Sequence, residues 1–175
     1  MMLRSARFRH PGKPFPLKKA MPVLFVLFLS LFNSLVFADA EEPAPDLSPE
    51  DVVRAQLNAL RDNGPDHDGI ERTYQFASPA NRRATGPLER FIALFRNPDY
   101  TPMLNHESAD IDEVSVDGDR AVIPVTITQI DGSAFDYVFV LSEQTEEPYE
   151  DMWMTDAVLF EGSTAPIDPD PESRI

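Results

Sequence analysis

Cysteine is absent from the 175 residues. That removes a disulfide framework, a Cys-ligated zinc or iron–sulfur site and a cysteine nucleophile. Lysine is absent after Lys19, so every basic side chain in the remaining body is arginine, which reads as a genomic or salt-adaptation bias rather than a site. Histidine is scarce. Only His67 and His106 follow residue 40, neither begins an HExxH motif, and two His without Cys do not make a zinc site. Asp66-x-Asp68-Gly69 resembles part of an EF-hand loop, but that loop would need an acid at Gly64 and a Glu at Gln75. The motif is better spent as a helix N-cap at Asp66 or Asp68. No G-x-S-x-G elbow, P-loop, G-x-G-x-x-G or internal repeat occurs, and nothing asks for a metal or a cofactor.

Positive charge is also scarce beyond residue 40, where nine Arg face 29 acidic side chains, a formal balance of −20. Such a body repels phosphate backbones and anionic lipid surfaces, which sets nucleic acid aside as a partner and leaves the membrane only to the N-terminal segment. Hydrophobic residues at 42% and charged residues at 26% exclude chain-wide disorder. The length suits one domain of the common size, roughly 100–150 residues.

The basic residues missing from the body are gathered at the start. Arg4, Arg7, Arg9, Lys13, Lys18 and Lys19 precede an uncharged run, Met21 to Phe37. A basic n-region, an apolar h-region and small residues after it make a secretory signal, with cleavage after Ala38 or after Ala40. The competing reading is an uncleaved anchor, since a spanning helix needs roughly 20 apolar residues. Pro11, Pro14 and Pro16 interrupt the amphipathic helix expected of a mitochondrial presequence. Either reading exports the acidic body, to the periplasm or beyond. The expected organisation is a signal peptide over 1–38 (or to 40), an acidic Pro-rich linker over 39–47, a domain over 48–161 and a disordered acidic tail over 162–175.

Within the domain, Ser48-Pro49-Glu50-Asp51 starts a helix with an N-cap, a proline in the first turn and early acids. Val53, Leu57 and Leu60 give it one apolar face, and Asn63-Gly64-Pro65 stops it. A second short helix is expected from Asp68, carrying Ile70, Tyr74 and Ala77. Residues 76–83 read as a turn with one loose helical turn, and a third helix runs from Pro87 with Leu88, Phe91, Ile92 and Phe95 on one side. The period then changes to two. Ile111 with Val114–Val116, then Val122–Ile130, Phe135–Leu141 and Met152–Phe160 read as four strands, punctuated by Asp117-Gly118 and Asp131-Gly132. Pro124 suggests an edge or a bulge. Helices followed by an antiparallel meander predict an α+β domain, helices packed on one face of a curved sheet.

Two stretches carry a family resemblance. SPEDVVRAQLNAL at 48–60 and FASPANRRATGPLERF at 76–91 are similar to the bacterial family called domain of unknown function 4864. The element order, with a Trp-containing last strand, resembles the nuclear-transport-factor-2-like, or cystatin-like, superfamily. That likeness implies a cone-shaped fold in which helices close over a concave sheet and often leave a pocket. Its members include isomerases, cyclases, small-molecule binders and dimerisation modules, while the closer family implies no established activity.

Fold does not fix function, so the side chains decide. An acid–base isomerase in such a pocket needs a carboxylate base and a donor for the oxyanion. The residue types on offer are Asp136, Asp156, Tyr74, Tyr100 and His106. For each there is a plainer reading: strand Asp facing solvent, Tyr74 as a core ring with its hydroxyl at the edge, His106 as a surface or capping residue. Asn81, Arg82 and Arg83 form the one basic and amide cluster, either bonding their own loop and nearby acids or contacting an anion at a pocket mouth. Trp153 and Met154 read as core, with Trp153 also a candidate for lining the cavity. Three classes stay open: a non-catalytic binder of a small apolar or amphipathic ligand, a homodimerisation or protein-interaction module using the open sheet face, and an acid–base enzyme.

Overall fold

The computed structural model describes residues 42–164. The expected signal segment lies outside them, as does the tail from residue 165 onward.

The chain is tethered earlier than a linker would be. Leu47 packs partly buried against the core, one residue ahead of the cap, where an apolar side chain fixes the entry of a helix. Ser48 and Asp51 then close a reciprocal capping box: Asp51 N donates to the Ser48 hydroxyl at 3.2 Å and Ser48 N donates to the Asp51 carboxylate at 3.0 Å. Helix α1, Pro49–Arg61, buries Val52, Val53, Leu57 and Leu60. It ends ahead of Asn63-Gly64-Pro65 without a left-handed glycine, its C-cap Asp62 having a φ of −96°.

Helix α2, Asp68–Gln75, corrects the capping expectation. Its N-cap is His67, in the left-handed region at φ 64°, and neither Asp66 nor Asp68 caps it. Asp68 instead accepts from Gly64 N at 2.8 Å, the bond that holds its carboxyl below the usual Asp value. Gly69 sits where α2 crosses α1, and a Cβ there would fall 2.0 Å from the Ala59 carbonyl oxygen. Ala77 lies beyond the helix. Ser78 N donates to Thr155 O and Thr155 N to Phe76 O, at 2.9 and 2.8 Å, so the chain forms a parallel bridge to the last strand.

The loose turn expected near residue 80 is a helix, α3, Pro79–Thr85, and among the described residues the α-helices number four. Ser78 caps it by accepting from Asn81 N at 3.1 Å, and Gly86 ends it at φ 89°. Helix α4, Leu88–Leu94, buries Phe91, and Phe95 follows it into the core. A 3-10 turn, Thr101–Met103, leads to the sheet.

The sheet is antiparallel and open, in the order β1-β3-β4-β5, with β2 also paired to β3. Its strands are β1 Ser108–Ile111, β2 Ser115–Asp117, β3 Arg120–Thr128, β4 Ala134–Glu143 and β5 Trp153–Thr164. The first expected strand is thus two, and β5 runs three residues past the expected domain end at 161. Pro124 explains the split. It stands in β3, inside the sheet, paired with Val138. Its missing N–H falls where the edge partner is interrupted: β1 stops at Ile111, opposite Val125, and β2 begins at Ser115, opposite Val122. In the gap only Asp112 N donates, to Pro124 O.

Alternation decides the faces. Ala121, Ile123, Val125 and Ile127 of β3 and Tyr137, Phe139 and Leu141 of β4 are buried against the helices. Tyr137 donates its hydroxyl to Asp99 O at 2.8 Å, and burial pushes its phenol well above the ordinary value. The result is an α+β domain, with four helices on one face of a curved, unclosed sheet.

Candidate functional site

Strand β5 does not follow β4 regularly. Val140 pairs with Ala157 but Leu141 pairs with Thr155, leaving Asp156 as an extra residue, and Glu161 is extra where Asp136 pairs with Gly162 and Tyr137 with Phe160. Bulges bend a strand and re-aim side chains. Here the first one puts Asp156 beside Thr155 in the wall of a cavity between the helices and β5.

That cavity has a volume of about 310 Å³. Its apolar wall is made by Leu60 of α1, Phe91, Leu94 and Phe95 around α4, Met103, Phe139 of β4 and Val158 of β5. Gln56, Thr73, Asn81, Thr85, Tyr100, Thr155 and Asp156 supply its polar atoms.

Most of these polar groups are spoken for. Thr155 donates its hydroxyl to Gln56 Oε1 at 2.7 Å, and Gln56 Nε2 donates to Thr73 O at 3.3 Å. Thr73 donates to Gly69 O and Thr85 to Asn81 O, each at 2.9 Å. Asn81 donates its amide to Thr155 O at 3.0 Å, fixing α3 to β5. Tyr100 donates its hydroxyl to Val158 O at 3.2 Å. Asp156 alone among them makes no side-chain hydrogen bond or ion pair with any described residue.

Of the eight candidate residues, Asn81, Tyr100 and Asp156 line the cavity. The solvent-facing reading of Asp156 therefore gives way to the bulge; Asp136, by contrast, is exposed and accepts from Thr126 Oγ1 at 2.8 Å. Tyr74 is the expected core ring, 5.1 Å from Phe91 between centroids, with its hydroxyl donated to Gly86 O. Arg82 is not at the mouth. Its guanidinium lies between the rings of Tyr74 and Tyr149, 5.1 and 5.4 Å from their centroids, and donates to Tyr149 Oη and Gln75 O. Its Nε is buried without a hydrogen-bond partner among the described residues. Arg83 is exposed and outside the lining. His106 is not on the surface either: it is 4% exposed, donates Nδ1 to Met103 O at 2.9 Å, and burial lowers its pKa from the usual His value. Trp153 packs partly buried against the core and stands apart from the cavity.

A base needs a donor aimed at the oxyanion it creates, and the hydroxyl protons of Tyr100, Thr73, Thr85 and Thr155 are all committed to protein acceptors. The lining pairs no nucleophile with a base. Among the described residues no three His, Asp or Glu are grouped to hold a metal ion. Sequence reasoning missed Gln56, Thr73 and Thr155. Gln56 was findable, because it is a polar residue among Val53, Leu57 and Leu60 on the apolar face of α1.

No curated protein matches the chain, and no solved structure does. One family model, described as domain of unknown function (DUF4864), matches residues 44–166. That stretch contains every helix and strand described above and well over half of the chain, which therefore belongs to the DUF4864 family.

Proposed function

We propose that the protein is an exported, non-catalytic module that binds one small, largely apolar or amphipathic molecule between its helices and its sheet. The observation that carries this reading is the cavity of about 310 Å³, walled by aromatic and aliphatic side chains with a few convergent polar groups. Ligand sites have this composition and begin at about this size, ~300 Å³. Export rests on the sequence, a basic segment followed by an uncharged apolar run. The helices closing over a curved sheet suit a distant kinship with nuclear-transport-factor-2-like proteins, which supports a pocket without naming its occupant. Native mass spectrometry of the protein purified from its own host, without stripping solvents, tests the reading. A reproducible excess mass on the folded protein is expected. A protein that stays bare and takes up no apolar compound sinks it.

A second reading has its own observation. On the sheet face away from the helices, Val122, Val140 and Ala157 form one row and Pro124, Val138 and Leu159 the next. Val122 is 41% and Leu159 51% exposed. Monomers seldom leave contiguous apolar patches bare, so this face suits a homodimer. Analytical ultracentrifugation distinguishes the two readings: a concentration-dependent dimer that Val140→Glu dissolves supports the second, and a monomer throughout removes it.

A further inference from the structure

Resting on the reading of the cavity as a ligand site, we infer that its ligand is a compact apolar amine, a hydrocarbon body with one positively charged group seated against Asp156.

The lining points to a cation in three ways. Among the described residues that line it, Asp156 is the only charged one; the others are aliphatic, aromatic, hydroxyl or amide. Its carboxylate, half-buried at the bulge, meets no cation among the described residues. The ion pairs among the described residues, Arg54–Glu50, Arg61–Asp62 and Arg72–Asp68, all lie elsewhere. Arg82 and Arg83, which follow the lining residue Asn81 in sequence, do not serve it, since Arg82 is held by Tyr74, Tyr149 and Gln75 O while Arg83 is exposed outside the lining. A partly desolvated carboxylate without a partner is costly to cover with an apolar ligand. A ligand that brings an ammonium group offsets that cost with a charge-assisted hydrogen bond.

The rest of the wall and the rest of the molecule favour the same sign. Phe91, Phe95, Phe139 and Tyr100 present aromatic rings, whose negative faces attract cations. The body beyond residue 40, with its formal balance of −20, draws cations toward the domain and repels anions. This reverses the anion contact suggested by Asn81-Arg82-Arg83. Size narrows the class further. A cavity of about 310 Å³ is roughly ten times the share of one water in the liquid, ~30 Å³. It takes one aryl- or alkylamine of about that many non-hydrogen atoms, and not a long lipid chain.

The test compares three molecules of one shape by isothermal titration calorimetry, on protein purified after expression of the full chain: phenylbutylamine, phenylbutanol and phenylbutyrate. The amine is expected to bind about tenfold more tightly than the alcohol, the scale of one charge-assisted contact, with the carboxylate weakest. Asp156→Asn should lower amine affinity to about that of the alcohol, and an unchanged circular dichroism spectrum shows that the variant is folded. Asp156→Glu should keep the preference for the amine. If the amine binds no better than the alcohol, or its advantage survives Asp156→Asn, the charge assignment is wrong while alcohol binding preserves the cavity reading. If none of the three binds to natively folded protein, both are overturned.

Discussion

Thr155 on the last strand donates its hydroxyl to Gln56 Oε1 on the first helix, 2.7 Å across 99 residues of sequence, and both side chains are buried. This bond locks α1 to the edge of the sheet at the base of the cavity. Gln56 passes the connection on to Thr73 O of α2, while Thr155 O receives Asn81 of α3 and Ser78 N. Three helices are thereby registered against one residue of β5.

Removing both ends of that bond should cost less than the two single losses together. Thr155→Val keeps the shape and leaves Gln56 Oε1 buried without its donor, a loss of about 1–3 kcal/mol. Gln56→Leu/Thr155→Val should be less destabilised than the sum of the single variants, because no polar atom of the pair is then stranded. Urea denaturation of the four proteins in the cycle measures this. Strict additivity would show that the two residues do not act as a pair.

Gly69 should tolerate no side chain. The Cβ of an alanine would meet the Ala59 carbonyl at 2.0 Å and Asn63 Cα at 2.9 Å, both backbone atoms. Relief requires α1 and α2 to separate, so Gly69→Ala is expected to destabilise by about 1–3 kcal/mol or more, although alanine is the better helix former. A thermal midpoint equal to that of the wild type would contradict the close crossing.

Arg82 acts as a strap for the loop between β4 and β5. It is the cation between Tyr74 and Tyr149 and the donor to Tyr149 Oη at 2.9 Å. Arg82→Lys keeps the charge but not the planar fork or the stacking. Both Arg82→Lys and Arg82→Ala should speed hydrogen exchange over residues 144–151 while leaving β3 protected. Exchange that rises equally throughout the domain would assign Arg82 to global stability instead.

How much of this was legible depends on the range of the interaction. The N-cap of α1 at Ser48 and the shared face of Phe135, Tyr137, Phe139 and Leu141 in β4 lie within a few residues of sequence, and both read correctly. Ser78-Pro79 repeats the signal of Ser48-Pro49, yet Asn81-Arg82-Arg83 offers no apolar stripe to propagate a helix. What secures α3 is the bond from Asn81 to Thr155 O, 74 residues away. Likewise, Asp156 reads as an ordinary strand residue until the pairing of β4 with β5 makes it the extra one. The site was hidden because it is built from register, which no local pattern carries.

His106 should make stability depend on pH in one direction. Burial lowers its folded pKa below the ordinary His value of 6.5, so between the two values the unfolded chain binds more protons. Stability from this group is therefore complete above the unfolded pKa and is lost as pH falls from 6.5 through the folded value, with a slope of at most about 1.4 kcal/mol per pH unit. An imidazole NMR titration with its midpoint below 6.5, and a flatter stability profile in His106→Gln, are the expected results. A midpoint above 6.5 would mean that the ring is held as a cation.

Asp156 should matter to folding through its backbone and not through its carboxylate. Its side chain bonds to no described residue, so Asp156→Asn is expected to change stability by no more than about 0.5 kcal/mol, the range of substitutions that remove no interaction. Deleting the residue is another matter. Without it the bulge closes: Leu141 still pairs with Thr155 and Val140 with Ala157, so every side chain beyond keeps its face. Val158 and Phe160 would stay on the core side and Leu159 outside it, so the deletion should fold but lose the bend that the bulge gives to β5. Urea denaturation of the substitution and circular dichroism of the deletion read the two outcomes. A large loss in Asp156→Asn would place the carboxylate in the scaffold and leave the cavity without a side chain free to meet a ligand.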